Sequence, residues 1–474
     1  MKILLLRAMP DYTDIVVEMP IGLAQVGAVA ERMNHEVEIL DLILEKDQEV
    51  ADRLLGKILN ANKFDLVGLT AMTPDYESAA RAARQVKMFN PELPIVFGGQ
   101  YASTKSDEVA SQDFCDFVVR GEGEHTFAEL LKALENGHNF DAIAGLTFKR
   151  NGTVVRTPDR PPIQDLDSLP FPAYHKIDME RYFDIIAARV SAKDRHCVSI
   201  FTSRGCPWHC IYCHALFGKS FRARSAENVV SEIKLLYNRG IRDFIIEDDV
   251  FNMDMNRAKK IFDLIKASKL DVHFQFNIGL RLERFDEELV RKMAEGGTYF
   301  ISIAVESASP RIQKLIRKNL QLDRAAEVVN WMRKYKIRTL GFFMLGFPTE
   351  TLADVNQTIQ FACDLDLDEA LFSIATPYPG TEFSRQVREM GWYDPDVVSR
   401  GKESFHQIRT DQFDYVTIKK LQRKAYIRFF MSRKRFLRLI PRLLDVKTSG
   451  KYLKAIARIL SYGTFNSKRS TGFN

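Results

Sequence analysis

Two stretches of the chain repeat one hydrophobic rhythm, a short apolar run followed by a longer stretch with apolar positions every three or four residues. In residues 1–140 the short runs are 2–6, 36–41, 65–70, 94–97 and 117–119. Between them lie stretches such as 23–33, apolar at 23, 26, 29, 30 and 33, with others near 75–89 and 124–136. Short apolar runs read as strands covered on both faces, and the longer recurrence as amphipathic helix. Their alternation predicts an α/β doubly wound parallel sheet with ligand sites at the carboxyl ends of its strands.

The rhythm resumes at residue 197. Strands are predicted at 197–202, 241–247, 272–277, 299–305, 337–345 and 370–376, with helices at 226–239, 255–268, 286–295, 322–335, 352–365 and 381–390. Six βα units predict a partial (β/α)6 TIM-like barrel, whose active site belongs at the carboxyl ends of its strands. Residues 141–190 read as a linker, with a hairpin over 145–158 turning at Asn151-Gly152 and irregular proline-rich runs at Arg160-Pro-Pro and Leu169-Pro-Phe-Pro172. The expected domains are therefore 1–140, 141–190, 191–395 and a basic helical region, 396–474.

At 46% hydrophobic and 27% charged, the 474-residue chain has an ordinary globular composition. Its opening, Met1-Lys-Ile-Leu-Leu-Leu-Arg7, is too short for a signal peptide, and no apolar run is long enough to span a membrane. With six cysteines this suggests a reducing, cytoplasmic setting. Charge is uneven. From Thr417 onward 16 Lys and Arg face only Asp445, a net +15 that leaves −9 for residues 1–416 of a chain at +6 overall. The run Arg428-Phe-Phe-Met-Ser-Arg-Lys-Arg-Phe-Leu-Arg-Leu-Ile440 interleaves aromatic and cationic residues. A helical cap with a solvated basic face is the ordinary reading. The sharper one is loose peripheral contact with an anionic membrane at the inner face, through Phe429, Phe430, Phe436, Leu437 and Ile440. Nucleic acid is disfavoured, since no recognised binding module accompanies the charge.

Three cysteines stand in one short loop, Thr202-Ser-Arg-Gly-Cys-Pro-Trp-His-Cys-Ile-Tyr-Cys213. Cys206, Cys210 and Cys213 are spaced C-x3-C-x2-C. Three thiolates would hold three irons of a [4Fe–4S] cube and leave the fourth open to a small chelating molecule. A Cys3His zinc knob using His209 or His214 competes with that reading. A disulfide would strand an odd thiol in the same loop. Cys115, Cys197 and Cys363 are scattered singly in apolar surroundings and read as buried thiols, so an auxiliary cluster is not expected.

This loop, with aromatic Tyr212 before the third cysteine, resembles the signature of the radical S-adenosylmethionine (SAM) enzymes. The resemblance implies that the open iron takes the amino and carboxylate groups of SAM, and that reductive cleavage yields a 5′-deoxyadenosyl radical. An external reductant such as flavodoxin or ferredoxin is then required.

Further matches fall at predicted strand ends. Glu247-Asp248-Asp249 ends the second barrel strand, where the family receives the methionine amino group; a divalent metal site is the plainer reading. Arg281 follows the third strand and would offer its fork to the SAM carboxylate, or else pair with Glu283 or Asp286. Glu306 and Ser307 end the fourth, in a run where Ala304 and Ala308 replace the family's glycines. Glu306 would accept from the ribose hydroxyls, or pair with Arg311. Gly346-Phe-Pro-Thr-Glu-Thr351 ends the fifth and would expose backbone groups to adenine. Pro377-Tyr-Pro-Gly-Thr381 ends the sixth. The ordered set covers about residues 190–395.

The first domain resembles the Rossmann-like cobalamin-binding domains that precede many radical SAM cores. Thr70, the Gly98-Gly99 turn and the Gly121-Glu-Gly-Glu124 turn, with Glu122 and Gly123, carry the likeness. Many such domains place D-x-H-x-x-G after the first strand, with the histidine on cobalt. Here that stretch is Ala8-Met-Pro-Asp-Tyr-Thr-Asp14. Cobalamin bound base-off, without a protein histidine, is the expectation. Together these features are similar to the subgroup with class B radical SAM methyltransferases and anaerobic magnesium-protoporphyrin IX monomethyl ester cyclase. They imply modification of an unactivated carbon of a small-molecule substrate, with methyl transfer ahead of cyclisation or carbon–carbon bond formation on a porphyrin- or lipid-like substrate; the greasy basic tail points the same way, to a hydrophobic one. The rival class is a non-catalytic cobalamin or zinc-binding protein.

Overall fold

The computed structural model describes residues 1–10, 17–137, 139–187, 193–214, 217–392 and 409–432, with 435, 437, 438, 440 and 450 beyond them. Strands β1 (Lys2–Arg7), β2 (Glu36–Asp41), β3 (Leu66–Thr70), β4 (Ile95–Gly98) and β5 (Phe117–Val119) lie parallel in the order β2-β1-β3-β4-β5. Leu4 and Leu6 enter the core on one face, Ile3 and Leu5 that on the other. That alternation is what a strand covered on both sides requires. Helices α1 (Ile21–Arg32) and α6 (Gly123–Asn136) cover one face, α2 (Gln48–Ala61) and α3 (Tyr76–Phe89) the other. Because β1 has neighbours on both sides, the loops after β1 and β3 part and leave a crevice at the carboxyl ends. Two short helices, α4 (Gln100–Thr104) and α5 (Ser106–Ser111), follow β4.

The helix α2 was not among the expected elements. Its buried stripe is narrow, Ala51, Leu55 and Leu59. The clearer signal is Asp47, whose carboxylate accepts from Val50 N at 2.9 Å as an N-cap.

The hairpin β6 (Leu146–Arg150) and β7 (Thr153–Arg156) turns where expected, with Asn151 and Gly152 at φ 50° and 78°. It is not linker, however. β6 pairs antiparallel with β5, making seven strands, so the first unit runs on past residue 140. Strand pairing is a long-range choice that the hairpin's own pattern does not reveal.

The barrel strands are β8 (Cys197–Ile200), β11 (Asp243–Ile246), β12 (His273–Leu280), β13 (Thr298–Glu306), β14 (Arg338–Leu345) and β15 (Glu369–Ile374). All six are parallel and lie in chain order, an open arc from β8 to β15. A two-residue ladder, β9 (Ser203–Arg204) with β10 (Arg222–Ala223), sits beyond β8. The helices are α7 (Met179–Ala187) ahead of β8, then α8 (Ala226–Asn238), α9 (Met255–Ala267), α10 (Glu287–Glu295), α11 (Pro310–Leu315), α12 (Arg324–Lys334), α13 (Leu352–Asp364) and α14 (Glu382–Glu389). Ser225, Asp254, Asp286, Thr351 and Thr381 cap helices α8, α9, α10, α13 and α14 with their side chains, and the predicted helices start within one residue of the observed ones.

The sheets share a core. Met19, Ile21 and Ala24 pack into the barrel's hydrophobic cluster, and Ala173 N donates to Ala24 O at 2.9 Å. Arg7 and Tyr182 meet on Asp41, joining β1, β2 and α7.

The helix α15 (Tyr415–Phe430) lies along the edge strand β15. Gln422 Nε2 donates to Phe372 O at 2.6 Å, and Phe372 N donates to the Tyr426 hydroxyl at 3.1 Å. Side chains thus cover an edge that would otherwise be open to pairing. Part of the stretch expected to meet a membrane is packed against the barrel instead. Phe429 is fully buried against Phe372, and the buried Arg435 lies 3.9 Å from its ring while donating to the carbonyls of Ala362, Cys363 and Leu367. Phe430 packs partly against the same core, Leu437 and Ile440 are exposed, and Phe436 lies outside the described residues. Among the described residues no helix is long and apolar enough to cross a membrane.

Candidate functional site

The carboxyl ends of the two sheets face one cavity of about 640 Å³. Thr70, Gly98, Gly99, Gly121, Glu122 and Gly123 line it from the first unit; Ser203, Arg204, His214, Glu247, Asp249 and Ile278 line it from the barrel. Every residue singled out in the first domain is therefore on this wall.

Glycine is required at the centre of that wall. Gly99 has φ 93° and ψ −178°, a conformation open essentially to glycine alone. A Cβ there would stand 2.8 Å from Ala71 O and from Thr70 Oγ1. Gly121, at φ 69°, has nothing within 4 Å of its Cβ position, and its N–H is held by Ser103 Oγ at 3.0 Å. The result is a bare backbone cradle that suits a broad flat ring. His214 is the one histidine among the described lining residues, and it belongs to the barrel side.

The cysteine loop is closed by the β9–β10 ladder. Gly205, at φ 83°, follows Arg204, and a Cβ there would lie 2.2 Å from Ser220 O. The loop is then nailed down by its apolar residues. Ile211 is buried with Ile312, Ile316, Phe347 and Phe383; its N–H donates to Ile316 O at 3.2 Å and its carbonyl accepts from Phe383 N at 2.9 Å. Tyr212 packs on Phe347, with ring centres 5.7 Å apart. The cysteines between these anchors stay accessible: Cys206 and Cys210 are half-buried and Cys213 is exposed.

Burial pushes the Cys206 thiol up, and the neighbouring Cys213, Asp249 and Cys210 push it the same way. Such a gathering of potential anions is suited to a cationic iron cluster, which reverses that balance. No three His, Cys, Asp or Glu among the described residues are placed to hold a single metal ion. Of the lone cysteines, Cys115 and Cys197 are buried as expected, whereas Cys363 is only partly so.

The three carboxylates after β11 have separate tasks. Asp248 is buried and accepts from Thr202 N at 2.6 Å, Thr202 Oγ1 at 2.5 Å and Ser203 Oγ at 2.6 Å, so it is spent on holding the strand that leads into the cysteine loop. Glu247 accepts from Ser199 Oγ at 3.0 Å, and Asp249 from Gly205 N at 2.9 Å; both line the cavity. Burial raises the Asp249 carboxyl above its ordinary range.

Other expected contacts are engaged within the protein. Arg281 is buried, bonded to Glu283 and to Lys318 O at 2.8 Å, with its guanidinium 4.0 Å from the Trp208 ring. Its fork is committed to Glu283 rather than offered to a ligand. Glu306 sits at φ 67°, a strained conformation for its residue type, with Lys318 Nζ 3.5 Å away and Tyr212 hydrogen-bonded to it. Lys318, not Arg311, is its partner, for Arg311 pairs with Asp354. Burial still holds the Glu306 carboxyl above its ordinary value. The Ser307 hydroxyl faces Thr358 at 3.3 Å. Where alanine replaces glycine at 304, Gly279 on β12 makes the room, since a Cβ there would be 2.5 Å from Ala304 Cβ.

Gly346, at φ 91°, does not offer its backbone outward. Its N–H and that of Phe347 donate to Glu350 at 2.6 and 3.2 Å, and Ile418 of α15 lies 3.1 Å from its Cβ position. The turn closes on its own acid, and burial pushes Glu350 up to about 7.

Sequence reasoning missed Lys318, His214 as a lining residue, and the pairing of Arg204 and Arg222 with Glu122 and Glu124. Each joins residues far apart in the chain, and no local pattern marks them.

Residues 200–362 match the radical SAM superfamily and residues 16–131 the B12 binding domain. An uncharacterised methyltransferase of Pyrococcus horikoshii is 36% identical over 423 residues, 87% of this chain and 88% of that one. Cytidylyl-2-hydroxyethylphosphonate methyltransferase of Streptomyces wedmorensis is 29% identical over 80% of this chain and 79% of its own. Among solved structures, the radical SAM methyltransferase TsrM of Kitasatospora setae superposes with a TM-score of 0.70 at 21% identity, over 82% of this chain and 76% of that one.

Proposed function

The chain belongs to the cobalamin-binding radical SAM enzymes, and from that premise we propose that it methylates an unactivated carbon of a small, largely apolar substrate in the cavity between its two sheets. The carrying observation is that one void of about 640 Å³ is walled by the glycine cradle on one side and by the residues flanking the cysteine loop on the other. When bound, the cluster supplies the electron that cleaves SAM and cobalamin supplies the transferable methyl group.

The chain's own residues divide the remaining work. Cys206, Cys210 and Cys213 hold the cluster, and Ile211 keeps their loop seated. Thr70, Gly98, Gly99, Gly121 and Gly123 let the corrin ring approach the backbone, with no histidine offered from that wall, which supports base-off binding. Glu247 and Asp249 face the cavity with negative charge suited to the positive groups of SAM. Asp248, Arg281, Glu306 and Ser307 act behind them as supports. Phe201, Phe217, Phe171 and Ile278 give the void an apolar lining that keeps water from a reactive radical.

The test uses anaerobically reconstituted protein with cobalamin, a low-potential reductant and SAM carrying a deuterated methyl group, incubated with extract fractions. A product heavier by one deuterated methyl, formed together with 5′-deoxyadenosine, is expected. A product lighter by hydrogens and bearing no label would establish cyclisation instead.

A further inference from the structure

We propose that Arg204, Arg222, Glu122 and Glu124 form a buried clasp that fixes the cysteine loop relative to the cobalamin cradle, so that the two cofactor platforms move as one body. The inference rests on the function proposed above. Arg204 sends one nitrogen to Glu124 at 2.5 Å and another to Glu122 at 3.3 Å; Arg222 reaches Glu122 at 2.5 Å. All four side chains are at most 10% exposed. The two arginines are direct partners in the β9–β10 ladder, the neck from which the loop bearing all three cysteines hangs. The two glutamates alternate with Gly121 and Gly123 in the turn that lines the cradle. From Arg204 to Cys206 is two residues, and from Glu122 to either glycine one.

The chemistry of the clasp favours positioning over adhesion. Two cations and two anions balance in charge, but each ion gives up its water on burial and depends on its partners, and apolar residues would join the units at least as firmly. What the ions add is direction: a forked guanidinium accepts few geometries. The clasp also ties in the linker, since Arg222 donates to Ile163 O at 2.7 Å and Glu122 accepts from Ile163 N at 3.1 Å. These are positioning residues, which act through the loop and the turn.

The experiment compares full-length wild type with Glu124→Gln, Arg204→Lys and the double swap Arg204→Glu with Glu124→Arg. Two readouts are independent of turnover. Amide hydrogen exchange over residues 203–214 of protein without added cofactors is expected to quicken at least tenfold in Glu124→Gln while α9 stays unchanged. In protein reconstituted with iron, sulfide and hydroxocobalamin and then reduced, the magnetic interaction between the reduced cluster and Co(II) should lose its single well-defined strength, with both contents retained. Methylation of the bound cobalamin from SAM is expected to fall at least tenfold in the same variant. Arg204→Lys, which keeps the charge and loses the fork, should fall between, and the double swap should recover part of the loss. Unchanged exchange over 203–214 in both single variants would overturn the clasp. Wild type that takes up no cobalamin would overturn the function instead, and the exchange result would still decide the clasp.

Discussion

Replacing Gly99 by Ala tests the cradle directly. The backbone at φ 93° and ψ −178° lies in a region essentially reserved for glycine, and holding another residue there costs about 1–3 kcal/mol. The added methyl also stands 2.8 Å from Ala71 O and Thr70 Oγ1 and 3.0 Å from Ala71 N. Those neighbours cannot yield freely, because Ala71 O already accepts from Tyr101 N at 3.1 Å and Ala71 N donates to Gly98 O at 3.0 Å. Forced overpacking of this kind costs about 1–3 kcal/mol more. The sum, about 2–6 kcal/mol, corresponds to a fall of about 4–24 °C in the melting of the first unit at about 2–4 °C per kcal/mol. Gly121→Ala is the control. It shares the positive φ, 69°, but meets nothing within 4 Å, so only the backbone cost of about 1–2 kcal/mol applies. Thermal unfolding gives the first comparison, and cobalamin retained after desalting the second. A Gly99→Ala protein that melts within about 2 °C of wild type and keeps its cobalamin would refute the steric argument.

Three further outcomes are expected. Replacing Cys206, Cys210 and Cys213 together by Ala should abolish the broad visible absorbance of the reconstituted cluster and 5′-deoxyadenosine formation while cobalamin binding survives; iron retained at wild-type content would defeat the ligand assignment. Glu350, raised by burial from 4.5 to about 7, contributes a stability that is full below about pH 4.5 and is lost as pH rises through 7. Glu350→Gln carries no charge to expel, so wild type should lose about 3 kcal/mol against it between pH 4.5 and 8, and a constant difference across that range would contradict the assignment. Phe429→Ala empties a fully buried ring site and should cost about 3–5 kcal/mol in denaturant unfolding, whereas Leu437→Ala, 56% exposed, should be near neutral; equal effects would undo the reading of α15 as a cap.

The local rhythm of the chain determined most of its elements. Residues 36–41 and 117–119 were read as strands and are β2 and β5 to the residue; β5 is apolar and buried throughout, as an interior strand must be, whereas the edge strand β2 keeps Val37 and Leu40 inward and leaves Glu36 exposed. Helix starts fell close to where the periodicity began, and the structure shows Ser225, Asp286 and Thr351 capping them by satisfying backbone donors a few residues away. The cysteine trio and the glycine turns were legible because ligand spacing and positive φ are properties of adjacent residues. What the tertiary structure alone decided is which of those residues face the void. Asp248 and Asp249 are neighbours with the same side chain, yet one is spent on Thr202 and Ser203 while the other lines the cavity. Gly346 looked like an open turn until Glu350 closed it, and Phe429 looked like a greasy surface until β15 supplied a strand edge to cover. The pairing of Glu124 with Arg204 spans 80 residues and two sheets. Periodicity records how each segment must fold on itself, but the partner of a buried charge is set by where two distant segments meet, and that is a property of the packed chain.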